Sequence, residues 1–125
     1  MNLLQSEKEG LMKKTEIYIG LNDQDSKVQK FETSKYVSIL KNVCISYRVP
    51  FSFSLIEGGY IHESGEYTQE TTLALSLIGV EHSTVEEIAR DLCVFFHQES
   101  VLITVGEVET YSIRGGMQSD DEDPS

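Results

Sequence analysis

A chain of 125 residues fits one domain and leaves little room for a second hydrophobic core. Hydrophobic residues make up 39% and charged residues 25%, an ordinary globular composition, and no apolar run approaches the ~18 residues of a membrane span. The net charge of −11 argues against a general binder of nucleic-acid backbone, which needs clustered Lys and Arg to displace counterions. Asp120, Asp121, Glu122 and Asp123 carry part of that charge, and the rest serves solubility or an acidic surface that meets a basic partner.

The first eleven residues include Glu7 and Glu9 and have no continuous apolar segment, so they do not read as a secretory signal, and a cytoplasmic location is expected. They show no clear period and are expected to form a flexible extension, residues 1–11, ahead of a single domain at 12–114. Met12 is an alternative native start, because Lys8-Glu9-Gly10 reads as a purine-rich ribosome-binding sequence translated as protein. Residues 115–125, Gly-Gly followed by polar and acidic residues, cannot bury enough surface to offset ordering and are expected to be a disordered acidic tail.

Within the domain, Ile17, Ile19 and Leu21 alternate on a first strand. Asn22-Asp23-Gln24-Asp25-Ser26 is a run of turn formers, and after it Tyr36, Val37, Leu40, Val43, Cys44 and Tyr47 recur at helical spacing, with Thr33 or Ser34 as the cap. Pro50 ends that helix, and Phe51, Phe53 and Leu55 alternate on a second strand. Gly58-Gly59 interrupts the alternation and is expected to kink a long hairpin that turns at Ser64-Gly65. A third strand spans residues 71–78. Ser83-Thr84-Val85-Glu86 matches a capping box, followed by an apolar stripe of Val85, Ile88, Ala89, Leu92 and Phe96. Residues 101–105 form a fourth strand, and 108–113 a fifth strand or an edge segment. Strand–helix–strand therefore appears twice, the signature of a βαββαβ sandwich with both helices on one face of an antiparallel sheet. The other face carries Glu16, Tyr18, Gly20, Ser52, Ser54 and Ile56; it suits a subunit interface or a shallow site, and a homo-oligomer is expected.

Tyr18-Ile19-Gly20-Leu21, Gly58-Gly59, Glu70 and Gln98-Glu99-Ser100-Val101 together resemble a domain-of-unknown-function family (number 3574) of small bacterial and phage proteins, over roughly residues 14–106. Ile19 departs from it, standing where an aromatic is expected. The resemblance implies a ferredoxin-like α+β fold and carries no established chemistry. Small phage domains often neutralise host components, including nucleotide-derived immune signals, which is an analogy of fold and origin.

No catalytic signature stands out. Ser64 and Ser100 lack a nucleophile elbow, and Gly58-Gly59 lacks the lysine and helix of a phosphate loop. Asp23-Gln24-Asp25 opens like a calcium loop but lacks its glycine and its closing glutamate, so it is not an EF-hand. Cys44 and Cys93 fall on apolar helix faces and read as small buried hydrophobes. A ligand pocket is expected from Tyr18, Arg48, Gly58, Gly59, Tyr60, His62, Tyr67, Gln98 and Glu99, with rings stacking on a planar ligand and Arg48 meeting a phosphate. The leading expectation is a non-enzymatic oligomeric binding protein, without cofactor or metal, that sequesters a nucleotide-derived signal as a phage anti-defence protein. Two alternatives stand beside it. One is an acidic inhibitor of a host protein. The other is a small metal-dependent or acid–base enzyme in which His62-Glu63 and His97-Gln98-Glu99 converge.

Overall fold

The computed structural model describes residues 6–61 and 63–116. Its elements run β1 (Ser6–Gly20), α1 (Thr33–Ser46), β2 (Ser52–Ile61), β3 (Tyr67–Ile78), α2 (His82–Phe95) and β4 (Leu102–Ile113). The four strands form one sheet in the order β2-β3-β1-β4, with β3 antiparallel to both β1 and β2. The architecture is the ferredoxin-like βαββαβ fold.

Alternation decides which face is buried. Ile17 pairs with Leu75, which in turn pairs with Phe53, and Ile19 pairs with Leu73 opposite Leu55, so these side chains share one face. Against that face pack Tyr36, Leu40, Val43 and Cys44 from α1, and Val85, Ile88, Ala89 and Leu92 from α2. Phe96 closes the end of the core, its ring edge-on to Tyr36 at 5.1 Å between centroids. Tyr47 links the helices by donating from its hydroxyl to Asp91 at 2.7 Å. That bond and partial burial push its phenol up to about 12. On the opposite face lie Glu16, Tyr18 and Gly20 of β1, beside Ser76, Ala74 and Thr72 of β3 and Ser52, Ser54 and Ile56 of β2.

Several local expectations change. Helix α1 starts at Thr33 with Glu32 as its N-cap, and α2 starts at His82 with Glu81 as its N-cap; neither cap makes a side-chain bond. Ser83 is thus already inside the first turn instead of at the N-cap, and the expected capping box does not form there. Gly58 and Gly59 do not kink their strand: pairing runs unbroken through Gly58–Glu70 and Gly59–Gln69 to Ile61–Tyr67. Residues 101–113 hold one continuous strand from Leu102 rather than two, and β1 starts at Ser6, so half of the expected N-terminal extension is strand. Residues 1–5 and most of the expected tail, 117–125, lie outside the described residues.

The chain divides into two compact units, Lys13–Gly106, which holds the helices and the core, and a smaller one from the strand segments on either side. In the smaller unit the Thr110 hydroxyl donates to the Gly10 carbonyl at 3.2 Å. No helix among the described residues is long and apolar enough to cross a membrane.

Candidate functional site

The cleft that concentrates polar side chains lies within the larger unit, at the end of the sheet where β1 stops and β3 begins. It has a volume of about 510 Å³ and is lined by Asn22, Asp23, Gln24, Lys27, Glu66, Thr68, Glu70, Gln98, Glu99 and Ser100. Three segments build it: the turn after β1, the start of β3, and the corner between α2 and β4.

The turn after β1 is shaped by Asp23, which is only 4% exposed. One carboxylate oxygen accepts the backbone N–H groups of Asp25 and Ser26 at 3.0 and 3.2 Å, an Asx turn that folds the segment back on itself. The Lys27 N–H returns to the Asp23 carbonyl at 2.8 Å, and the Asp23 N–H donates to the Val28 carbonyl at 2.9 Å. The other oxygen contacts His97 Nδ1 at 2.6 Å, with Lys30 Nζ at 3.7 Å. The His97 bond, reinforced by the two backbone donors, holds the Asp23 carboxyl down at about 2.

The third segment is placed by the way α2 ends. Phe96 is the C-cap, His97 takes the left-handed conformation (φ 54°), and the Gln98 N–H donates back to the Cys93 carbonyl at 2.9 Å, a Schellman ending with histidine in the usual glycine position. Gln98 and Glu99 leave the helix directly into the cleft. The Gln24 N–H donates to the His97 carbonyl at 3.2 Å, and the Gln98 side-chain amide donates to the Asn22 carbonyl, so the first and third segments are tied together.

Glu70 supplies the remaining wall. Its carboxylate accepts the Asn22 N–H at 2.9 Å and rests on Gly20, where an added Cβ would overlap it. Glycine on β1 therefore makes room for a carboxylate from β3. Tyr67 uses a similar space, its ring lying across Gly59, where a Cβ would come within 2.6 Å of the phenolic oxygen.

The residues singled out from the sequence divide by location. Gln98 and Glu99 line the cleft. Gly58 pairs with Glu70, and Gly59 and Tyr67 sit together on the β2–β3 hairpin beside it. Tyr18 lies on the open face and donates to Glu16 at 2.9 Å, which raises its phenol above the ordinary value. Arg48 precedes β2, and from Ser52 to Gly58 that strand runs about 20 Å, so Arg48 lies at the far end of the sheet from the glycine pair. It does not join them in a phosphate pocket. His62 and the side chain of Tyr60 lie outside the described residues, and with them the proposed convergence of His62 with His97.

Asn22, Asp23, Gln24, Lys27, Glu66, Thr68, Glu70 and Ser100 were not among the site residues expected from sequence. Two signals pointed toward them: the turn-forming run 22–26, and Glu70 and Ser100 in the motifs of the resemblance. Asp23, Asp25 and His97 also offer one ligand atom each within 4.8 Å of one another, but His97 Nδ1 is already engaged with Asp23. Burial pushes the Cys44 thiol up to about 11 and raises that of Cys93, which leaves neither poised as a nucleophile.

No protein-family model and no curated protein matches the chain. Solved structures do. A phage SAM lyase in complex with S-methyl-5′-thioadenosine superposes with a TM-score of 0.60 at 19% identity, over 86% of this chain and 93% of that one. CutA from Synechococcus elongatus gives 0.57 at 11% identity, over 90% and 88%. The B. subtilis GlnK–ATP complex gives 0.54 at 18% identity, over 82% and 94%. The expectation that the chain is not an enzyme is corrected here: it rested on the lack of a recognised motif, and the same fold carries a lyase. At 11–19% identity the likeness is one of fold: the chain shares the ferredoxin-like architecture with the phage SAM lyase, CutA and GlnK.

Proposed function

We propose that the chain is a lyase acting on a sulfonium nucleoside, with S-adenosylmethionine as substrate and the cleft around Glu70, Gln98 and Glu99 as its active site. The observation that carries this reading is the charge of the cleft: Glu66, Glu70 and Glu99 line it beside the ammonium of Lys27, while Asp23 is buried in its wall and already paired with His97 and Lys30. A polyphosphate entering such a site meets repulsion, whereas a sulfonium cation is attracted. The phage SAM lyase and GlnK share the fold but carry different ligands, a thioadenosine and ATP, and the acidic lining favours the former chemistry.

S-methyl-5′-thioadenosine keeps the methyl and adenosyl groups of S-adenosylmethionine, so forming it breaks the bond between sulfur and the aminobutyrate carbon. The sulfur leaves as a neutral thioether with the bonding pair, and the carbon fragment closes on its own carboxylate as a lactone, or passes a proton from the neighbouring carbon to water and becomes an alkene. Glu70, fixed by the Asn22 N–H and its seat on Gly20, holds negative charge in place for the cationic substrate. Asn22, Gln24, Gln98 and Ser100 supply the neutral donors and acceptors that orient the nucleoside. Removal of a nucleotide-derived metabolite, the role expected of a phage anti-defence protein, is then achieved by turnover instead of capture.

The open sheet face supports a homo-oligomer within the same reading. Tyr18, Thr72, Ala74, Ser76 and Ser54 present a flat array of mostly small side chains that a second sheet can approach closely. Light scattering on the purified chain is expected to give a mass above 14.1 kDa.

Incubation of the full-length chain with S-adenosylmethionine, followed by chromatography, is expected to release S-methyl-5′-thioadenosine. Intact substrate after prolonged incubation, with no rise in melting temperature on adding either molecule, overturns the reading. A melting shift with ATP alone would instead favour nucleotide binding of the kind seen with GlnK.

A further inference from the structure

Two walls of the cleft come from segments 74 residues apart, and they meet at a carboxylate–imidazole pair, Asp23 and His97. We propose that this pair is a positioning couple, which sets Gln98 and Glu99 on one wall and Asn22 with its bound Glu70 on the other. The inference rests on the cleft being the active site.

Chain connectivity gives the couple its reach. His97 immediately precedes Gln98 and Glu99, so fixing its ring fixes the start of that wall. Asp23 immediately follows Asn22, whose N–H holds the Glu70 carboxylate. One continuous line therefore runs from Glu99 through His97, Asp23 and Asn22 to Glu70. Asp23 is buried and uses both oxygens, one on the turn backbone and one on His97, whereas His97 is half exposed and stands in a left-handed conformation that a glycine or asparagine adopts more easily. The choice of histidine at a position that favours glycine is explained by the bond its ring makes. The other charged groups facing the pair are Lys30, 3.7 Å from Asp23, and Asp25, 3.5 Å from His97 Nε2. The effect of the couple passes through the residues beside it.

His97→Gly removes the ring while easing the backbone. His97→Asn places an amide nitrogen near the position of Nδ1 and so restores a donor for Asp23. The test measures cleavage of S-adenosylmethionine, melting temperature, and amide exchange at Asp25, Ser26 and Gln98 in the full-length chain. For His97→Gly the expected result is kcat lower by roughly tenfold to a hundredfold with KM within about threefold, since a misplacement of ~1 Å costs on that order. Exchange is expected to quicken on both walls, and His97→Asn to recover most of both. Asp23→Ala combined with His97→Gly is expected to be no worse than the poorer single variant. Retention of kcat in His97→Gly, multiplicative losses in the double variant, or a His97→Asn as impaired as the glycine variant each overturns the couple. If the parent chain leaves S-adenosylmethionine intact, the reaction reading falls, and the couple is judged on exchange alone: quickening at Asp25 and Ser26 in His97→Gly supports it, and unchanged exchange there overturns it.

Discussion

Gly20 and Glu70 fit closely behind the cleft wall, one residue supplying space and the other charge. Gly20→Ala is expected to displace the Glu70 carboxylate and break its bond to the Asn22 N–H, lowering cleavage of S-adenosylmethionine about tenfold or more while the melting temperature changes little. Glu70→Gln keeps the shape and removes the charge, and kcat/KM is expected to fall on the order of a hundredfold, the scale for losing a preorganised electrostatic group. Steady-state kinetics on both variants check the pair. Asp23 makes a separate prediction about acid. Its folded value near 2 lies below the ordinary carboxylate value, so the stability it contributes is fully present above about pH 4 and is lost as pH falls through about 2. Chemical denaturation between pH 5 and 2 is expected to show a shallower loss in Asp23→Asn than in the parent chain.

The helices act as rigid supports whose ends place the site. Phe96 is the last core residue before the His97 turn, packed against Tyr36 and only 2% exposed. Phe96→Ala is expected to cost about 3–5 kcal/mol in urea denaturation, and to lower activity as well because the Schellman ending that directs Gln98 loses its anchor. Tyr47→Phe removes only the hydroxyl that bridges to Asp91, and about 1 kcal/mol is expected, with activity retained because neither residue lines the cleft. Element type was legible from periodicity in the core, though not for residues 6–11, which belong to β1: the stripe of Val85, Ile88, Ala89 and Leu92 is the buried face of α2. Element ends were less so. Ser83-Thr84-Val85-Glu86 satisfies the local rule for a cap, yet the N-cap of α2 is Glu81, two residues earlier; a cap contributes only about 1 kcal/mol, little beside burial of the apolar stripe. Gly58-Gly59 reads locally as a kink, but ladder pairing with Gln69 and Glu70 keeps the strand extended.

Charge is a property of the whole chain, and it bears on which ligands approach. A net charge of −11 together with an acidic cleft draws a cationic substrate inward and repels phosphates. KM for S-adenosylmethionine is therefore expected to rise several-fold as ionic strength increases past ~0.1 M, where the screening length falls to about 10 Å. Kinetics across a salt series check the sign; a KM that falls with salt would contradict electrostatic attraction. The pocket drawn from sequence joined Arg48, as a cation for phosphate, to the tyrosines and the glycine pair, with no guide to their separation in space. Strand length separates them, while β3 crossing beside β1 brings Glu70 onto Gly20 and Asn22 from about fifty residues away.

Strand and helix periods, the repeated strand–helix–strand order and the face each apolar residue takes are written in local spacing, because burial of an alternating or helical stripe depends on neighbours a few positions apart. From these alone the βαββαβ fold and the buried role of Cys44 follow. The cleft is different in kind. Asp23 and His97, or Gly20 and Glu70, carry no mutual signal along the chain, and their meeting depends on the strand order β2-β3-β1-β4 and on where α2 ends against the core. Long-range packing assembled the site from turn residues that, read locally, had only a structural meaning.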